Sequence, residues 1–266
     1  MSAQAVLSDI ADGVMTITLN RPEAANAVRP EDRDALIALL AVADGDENVR
    51  VVVLRANGRH FCSGADVASL AERRAKGEKR VMEPTRRIMN GAQRLVAAVL
   101  DCNKPVIAVV HGAATGLGAH VVYASDLVIA TENAYFAESF VKRGLVVDGG
   151  GCYLLPRRIG MQKAKEMAFF GEKLSAAEAL TLGLVNRVVS VSDLDATVAD
   201  FAGRLAGAPT SAIAFTKRLL NDSPDTDRSG AFVAEAMSQE IQSYAHDSTE
   251  GVKAFMEKRP TEFTGW

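Results

Sequence analysis

One stretch decides the fold of this chain: the apolar run Val49-Arg50-Val51-Val52-Val53-Leu54 is followed by the loop Asn57-Gly58-Arg59-His60-Phe61-Cys62-Ser63-Gly64-Ala65-Asp66. The run is almost wholly apolar and mostly β-branched, which predicts a strand that is buried on both faces. The loop carries glycines and polar groups at the end of that strand. A doubly buried strand that ends in such a loop is typical of an α/β fold, whose loops carry functional groups.

The same order of elements recurs along the chain. Alternating Met15, Ile17 and Leu19 predict an N-terminal strand, and Pro30 opens an amphipathic helix. Residues 105–110 form a third apolar run, which leads into the glycine-rich stretch His111-Gly112-Ala113-Ala114-Thr115-Gly116-Leu117-Gly118-Ala119-His120. Further strands are predicted at 127–130, 134–136 and 185–189. The repetition of strand, glycine-rich loop and helix predicts an α/β architecture.

The pattern changes after Ser190, where strand signals end and amphipathic helices are predicted at 192–205, 210–220, 232–245 and 251–258. We therefore expect two units, a core over residues 1–195 and a helical C-terminal unit over 196–266. Ser175 and Glu178 form a capping box, which predicts a short helix in the core.

Composition excludes several classes of protein. The chain has 266 residues, 48% of them hydrophobic, and a formal net charge of −3, which suits a globular protein and argues against nucleic acid or anionic membranes as partners. No stretch reaches the ~18 apolar residues of a membrane span. Three widely spaced cysteines and four scattered histidines form no metal-ligand pattern. We predict a cytoplasmic protein without a metal ion.

Two glycine-bearing loops are candidates for chemistry, Ser63-Gly64-Ala65-Asp66 and Thr115-Gly116-Leu117-Gly118. Each lies between a predicted strand and a predicted helix, where free backbone N–H groups bind negative charge. Two such loops at one cavity would form an oxyanion hole. A dinucleotide site is the alternative, but Val121 stands where the GxGxxG fingerprint needs Gly or Ala.

Several segments resemble one family in their order and approximate spacing. They are Asn20-Arg21-Pro22 with Asn26-Ala27, Phe61-Cys62-Ser63-Gly64-Ala65-Asp66, Lys104-Pro105-Val106-Ile107-Ala108-Val109-Val110-His111-Gly112, Ser125-Asp126, Gly160, and Glu250-Gly251-Val252-Lys253-Ala254-Phe255-Met256-Glu257-Lys258-Arg259-Pro260. Over roughly residues 12 to 263 the chain resembles the crotonase superfamily, the enoyl-CoA hydratase/isomerase fold.

This resemblance implies a crotonase-like spiral of repeated ββα units with a C-terminal helical trimerisation unit. It implies a homotrimer or a dimer of trimers. The implied substrate is an acyl-CoA thioester, and no cofactor is expected beyond the coenzyme A that is part of this substrate. It also implies that the backbone N–H groups of Ala65 and Leu117 bind the thioester oxygen. The loop residues Ser63, Gly64, Asp66 and Gly116 are then expected to contact substrate.

The chain departs from the hydratases of this family, which hold a water molecule with two glutamates. The first position is occupied here by His120, a candidate catalytic residue, and the second by Phe140, a candidate substrate-binding residue. The segment around Asp148 resembles the isomerase branch, which includes dienoyl-CoA isomerases and ring-epoxide phenylacetyl-CoA isomerases. The resemblance implies that Asp148 moves a proton, and one carboxylate suffices for that task.

Several of these residues have a structural interpretation as well. Asp148 precedes three glycines and an apolar run, so it could cap a helix. His120 could be a satisfied histidine on a helix face, or a polar contact and second acid in catalysis. Glu138 could lie on the same face as Phe140 and partly replace the missing acid, or it could be a solvated or ion-paired surface acid. Asp66 could be a helix cap.

Two further side-chain groups complete the candidates. Cys62 is interpreted as a small apolar filler with an ordinary thiol. The basic run Arg73-Arg74-Ala75-Lys76-Gly77-Glu78-Lys79-Arg80 is either a solvated surface or a contact for the phosphates of coenzyme A.

Three functions remain open from the sequence. The first is an enoyl-CoA isomerase with Asp148 as the proton shuttle. The second is a hydratase-like or hydrolytic activity that uses His120. The third is an acyl-CoA-binding protein without catalytic activity. Such a protein would not need the carboxylate of Asp148.

Overall fold

The computed structural model describes residues 4–66 and 81–266, so the basic run at 73–80 and any helix capped by Asp66 lie outside the described residues. The strands are β1 Val6–Ala11, β2 Val14–Leu19, β3 Val51–Ala56, β4 Val106–Val110, β5 Ala113–Thr115, β6 Leu127–Thr131, β7 Tyr135–Ala137, β8 Lys173–Ser175 and β9 Arg187–Val189. The helices are α1 Pro30–Gly45, α2 Glu83–Ile88, α3 Arg94–Asp101, α4 Leu117–Ala124, α5 Gly151–Ile159, α6 Met161–Phe170, α7 Ala176–Thr181, α8 Leu194–Ala206, α9 Thr210–Asp222, α10 Arg228–Ser243 and α11 His246–Glu257.

The larger sheet has the strand order β1-β2-β3-β4-β6-β9, and all its pairs are parallel except β1 with β2. A smaller sheet has the order β5-β7-β8. The predicted double burial of β3 is confirmed. Its Val52 and Leu54 belong to the main core, while Val51 and Val53 pack with α8 on the opposite face. The α/β prediction is therefore confirmed.

Some elements differ from the sequence-based expectation. β1 was not predicted, because it is a sheet edge with the exposed polar residues Ser8 and Asp9 in its middle. The short strands β5 and β8 were not predicted either, since three residues carry no periodicity. The expected capping box is present, because Ser175 Oγ accepts from Glu178 N and Glu178 Oε2 accepts from Ser175 N.

The C-terminal helices attach to the core through buried polar contacts. The predicted division after residue 195 falls inside α8, whose Leu194, Val198 and Ala202 pack on the sheet. Beyond α8, the ammonium of Lys217 on α9 lies 2.8 Å from Asp126 Oδ2 and donates to the carbonyl of Lys104. This contact ties α9 to the loops that precede β4 and β6. Within the described ranges, no helix combines the length and apolar character needed to cross a membrane.

Lys217→Met should lower the free energy of unfolding by about 3 kcal/mol, because it leaves the largely buried Asp126 carboxylate without its cation. Chemical denaturation measures this loss. Lys163→Met, at the more exposed Lys163–Glu166 pair, is the matched control and should change stability by less than about 1 kcal/mol. Equal effects of the two substitutions would contradict the assignment of Lys217 as a buried tether.

Candidate active site

Two loops lie side by side at the carboxyl edge of the larger sheet. One follows β3 and the other follows β4, and the two strands are parallel neighbours, so both loops start from the same edge. Cys62 N donates to Ala113 O and Thr115 N donates to Cys62 O, each at 2.9 Å. The hydroxyl of Thr115 also donates to Ser63 O at 2.8 Å. These bonds join the two predicted glycine-bearing loops into one surface.

Gly64 allows the two loops to approach this closely. Its φ is +104°, and a Cβ at this position would lie 2.9 Å from Thr115 O and 3.6 Å from Leu117 N. The residue after it, Ala65, and Leu117 at the start of α4 both line the cavity that the loops form. Neither of their N–H groups donates a hydrogen bond to any residue in 4–66 or 81–266. Two unused main-chain donors therefore lie at one cavity, and the positive end of the α4 dipole adds to one of them.

The segment Asn20 to Val28 fastens the first loop. Asn26 is buried, and its amide donates to Asn57 O at 2.9 Å and to His60 O at 2.7 Å. Arg21 forms an ion pair with Asp66 at 3.4 Å, and Val28 N donates to Gly64 O at 2.8 Å. Sequence reasoning found these residues only through the family resemblance, because their partners are more than thirty positions away.

The cavity has a volume of about 230 Å³. It brings together all the predicted site residues except His120, namely Ser63, Gly64, Ala65, Asp66, Gly116, Leu117, Phe140 and Asp148. Its wall also contains four arginines that sequence reasoning missed, namely Arg29, Arg33, Arg87 and Arg143. They come from separate segments of the chain, so no local motif distinguishes any of them from a surface charge.

Asp148 lies half-buried on the cavity wall. Helix α5 begins at Gly151 with Gly150 as its N-cap, and no side chain forms a capping hydrogen bond with its first turn. The interpretation of Asp148 as a helix cap is therefore wrong. Within the described part of the chain, its carboxylate makes no hydrogen bond or ion pair. Burial raises the pKa of Asp148, and the nearby Glu138 adds to this effect while His120 opposes it.

His120 is fully buried and does not line the cavity, so the expectation that its side chain contacts substrate directly is corrected. All residues of α4 are buried, and His120 points into the protein beneath the cavity wall. Its Nε2 lies 3.1 Å from Oε2 of Glu138. Its ring stacks on Phe140, with centroids 5.6 Å apart and planes at 1°.

Glu138 is also fully buried, so the expectation of a surface acid is wrong. The expectation that it shares a face with Phe140 rested on strand alternation, but β7 ends at Ala137 and Phe140 has helical backbone angles. Glu138 therefore points inward to His120, while Phe140 reaches the cavity.

The thiol of Cys62 is buried beneath the loops, and burial raises its pKa to about 12. Cys62 is small and buried as predicted, but its contacts are not purely apolar, because the thiol donates to Asn26 O at 3.2 Å and accepts from Gly64 N at 3.4 Å. Among residues 4–66 and 81–266, no three His, Cys, Asp or Glu side chains lie together as a metal site.

The fold and the site define an α/β protein in which paired main-chain donors and a carboxylate line one cavity. The enoyl-CoA hydratase/isomerase family model matches residues 9–265. The chain is 37% identical over 265 residues to a probable enoyl-CoA hydratase of Rhodobacter capsulatus, covering 100% of both chains. It is 34% identical over 260 residues to 1,2-epoxyphenylacetyl-CoA isomerase of Escherichia coli, covering 98% of both.

A crystal structure of enoyl-CoA hydratase/isomerase from Cupriavidus metallidurans matches with a TM-score of 0.92 at 32% identity, covering 100% of this chain and 98% of that one. The chain belongs to the enoyl-CoA hydratase/isomerase family, which is the crotonase superfamily and acts on acyl-CoA thioesters. The predicted family and crotonase-like fold are confirmed.

Gly64→Ala should reduce turnover of an acyl-CoA substrate by about 10²-fold or more, because the new Cβ would push Thr115 and displace the Ala65 and Leu117 donors. Steady-state kinetics measure the loss. Gly183→Ala is the control, since Gly183 also has a positive φ, +80°, but a Cβ there meets nothing within 4 Å. Full activity of Gly64→Ala would show that the two loops do not need this close approach.

Proposed function

We propose that this protein is an enoyl-CoA isomerase that moves a double bond with Asp148 as a single proton shuttle. The observation that carries the proposal is the Asp148 carboxylate, which lines the cavity and has no structural partner within the described residues. A half-buried carboxylate without a partner costs free energy in the folded protein. Such a cost is typical of a group that is kept for chemistry.

In the proposed reaction, the N–H groups of Ala65 and Leu117 bind the thioester oxygen. Asp148 takes a proton from one carbon of the enoyl group, and the electron pair of that C–H bond moves into the conjugated system as an enolate. The two N–H groups and the α4 dipole stabilise the negative charge on oxygen. Asp148 then returns the proton to another carbon of the same system, and the double bond has moved. The only coenzyme needed is the coenzyme A of the substrate.

The cavity wall supports an acyl-CoA ligand. Arg29, Arg33, Arg87 and Arg143 surround a cavity whose floor is largely apolar. Guanidinium groups attract phosphates, and coenzyme A carries several phosphates. Arg29 and Arg33 already bond Asp32 and Asp34 through Nε and Nη2, so they would contribute through their remaining N–H groups. The acyl chain would lie on the apolar residues Leu117, Phe140 and Leu145.

The arrangement gives less support to a hydratase. Addition of water needs two groups that hold and activate it, and the two family positions are occupied by Phe140 and by His120 behind the wall. The other carboxylate on the described cavity wall is Asp66, which is ion-paired with Arg21. If the protein only bound acyl-CoA, the carboxylate of Asp148 on the cavity wall would have no function.

Asp148→Asn should reduce isomerisation of an enoyl-CoA by roughly 10² to 10⁴-fold, because it removes the base and keeps the size of the side chain. Melting temperature and acyl-CoA affinity should change little, because the carboxylate caps no helix and the oxyanion donors are main-chain groups. Turnover of a panel of enoyl-CoA thioesters, with deuterium wash-in at carbons 2 and 4, measures the effect. Full activity in the Asn variant rejects the proposal, and hydration that is lost in His120→Ala alone favours the hydratase.

We propose that the C-terminal helices assemble the chain into a homotrimer or a dimer of trimers. In the single chain α10 has no buried residue, and Phe232, Met237 and Ile241 on it are each about 60% exposed. Exposed apolar side chains of this size favour burial against another copy. Sedimentation velocity should detect the oligomer at micromolar concentration. A stable monomer under those conditions would contradict the proposal.

A further inference from the structure

A buried polar pair lies directly beneath the proposed proton shuttle. His120 and Glu138 have no exposed surface, and their Nε2 and Oε2 atoms are 3.1 Å apart. Nδ1 of His120 and Oε1 of Glu138 have no hydrogen-bond partner in the described residues. Two apolar side chains of the same volume would fill this space at a lower free-energy cost. The pair therefore needs a reason other than stability.

The turn that carries Asp148 packs against the imidazole ring of His120. A Cβ at Gly149 would lie 3.0 Å from Nδ1 of His120, and a Cβ at Gly151 would overlap Nε2. The backbone on the C-terminal side of Asp148 thus packs against the ring, with no side chain between them. A change in the position of the ring would move this turn and the carboxylate with it.

The same imidazole also contacts the other half of the site. It belongs to α4, three residues after the donor Leu117, and it stacks on Phe140 in the cavity wall. Phe140 in turn packs close to Gly116, where a Cβ would lie 3.5 Å from its ring. His120 is therefore in contact with the turn of Asp148 and with the wall beside the oxyanion loop. Glu138 holds it in place from below.

We propose that the His120–Glu138 pair is a positioning unit that holds Asp148 at a set distance and in a set electrostatic environment above the oxyanion helix. This inference rests on the proposed function. Neither residue touches the cavity, so both act through Asp148. Among the described residues, the other charged or titratable side chains that line the same cavity are Arg29, Arg33, Asp66, Arg87 and Arg143. Cys152 on α5 lies near Asp148, and Tyr123 on α4 lies beside Glu138 and His120.

The opposite effects of the two residues on the pKa of Asp148 give the test its sign. Asp148 must be ionised to take a proton, so kcat falls as the pH falls through its pKa. Glu138 raises this pKa and His120 lowers it. Glu138→Gln should therefore move the acid limb of the pH profile to lower pH, and His120→Leu should move it to higher pH. Opposite shifts are a signature that loss of packing alone does not produce.

Both variants should also lower kcat with little change in KM, because the substrate contacts remain while the carboxylate is displaced. We expect about a 10- to 100-fold loss of kcat for His120→Leu and a smaller loss for the isosteric Glu138→Gln. His120→Gln should recover most of the activity, since its amide N–H can donate to Glu138. If His120→Leu fails to fold, the pH profile of Glu138→Gln alone tests the proposal.

Asp126→Asn is the matched control, because it breaks the largely buried Lys217–Asp126 pair at the opposite end of the sheet. It should lower the melting temperature and leave kcat and the pH profile as in the wild type. The proposal is overturned if Glu138→Gln and His120→Leu behave like this control, or if their acid limbs move in the same direction.

A second readout separates this proposal from the proposed function. The carboxyl ¹³C resonance of Asp148, assigned by its loss in Asp148→Asn, can be titrated in each variant without any substrate. Opposite shifts of its midpoint support the pair even if no enoyl-CoA is isomerised, in which case the proposed function alone fails. An unchanged midpoint in both variants rejects the pair as a positioning unit.

Discussion

The backbone hydrogen bonds between Cys62 and the segment Ala113–Thr115 are the interaction on which the rest of the site depends. They join two loops that are fifty residues apart in sequence and that start from neighbouring parallel strands. Parallel strands deliver their loops to one edge of a sheet, but they do not align two particular N–H groups. That alignment requires the loops to bond to each other, and Gly64 is the position where any side chain would separate them.

Much of this arrangement was predictable because it rests on local sequence. The β-branched run at Val51–Leu54 admits few structures other than a doubly buried strand, and the glycines that follow mark the loop. Ala65, Leu117 and Asp148 could be identified as cavity residues because the family resemblance assigns functional roles to residues in short sequence motifs. The C-terminal helices were found from local sequence as well, because their apolar residues recur at helical spacing.

The errors of sequence reasoning have a common physical cause. Glu138 was placed by strand alternation, and alternation ends where β7 ends. His120 was expected at the cavity because it follows the second glycine-bearing loop, but α4 is buried on every side and only Leu117 at its start lines the cavity. The cavity arginines come from separate helices and loops. Their convergence is a property of tertiary packing, which no window of sequence contains.

The two departures from the hydratase pattern are best understood together. At one family position an acid is replaced by Phe140, whose ring closes the cavity wall, and at the other by His120, whose ring packs behind that wall. In this chain a polar pair, His120 and Glu138, lies buried one layer behind the wall. The apolar ring of Phe140 offers water no hydrogen-bond partner on that part of the wall, and burial strengthens the electrostatic effect of nearby charges on Asp148. The proposed isomerisation requires return of the proton to carbon to be faster than addition of water, and a site without acids at these two positions favours that outcome.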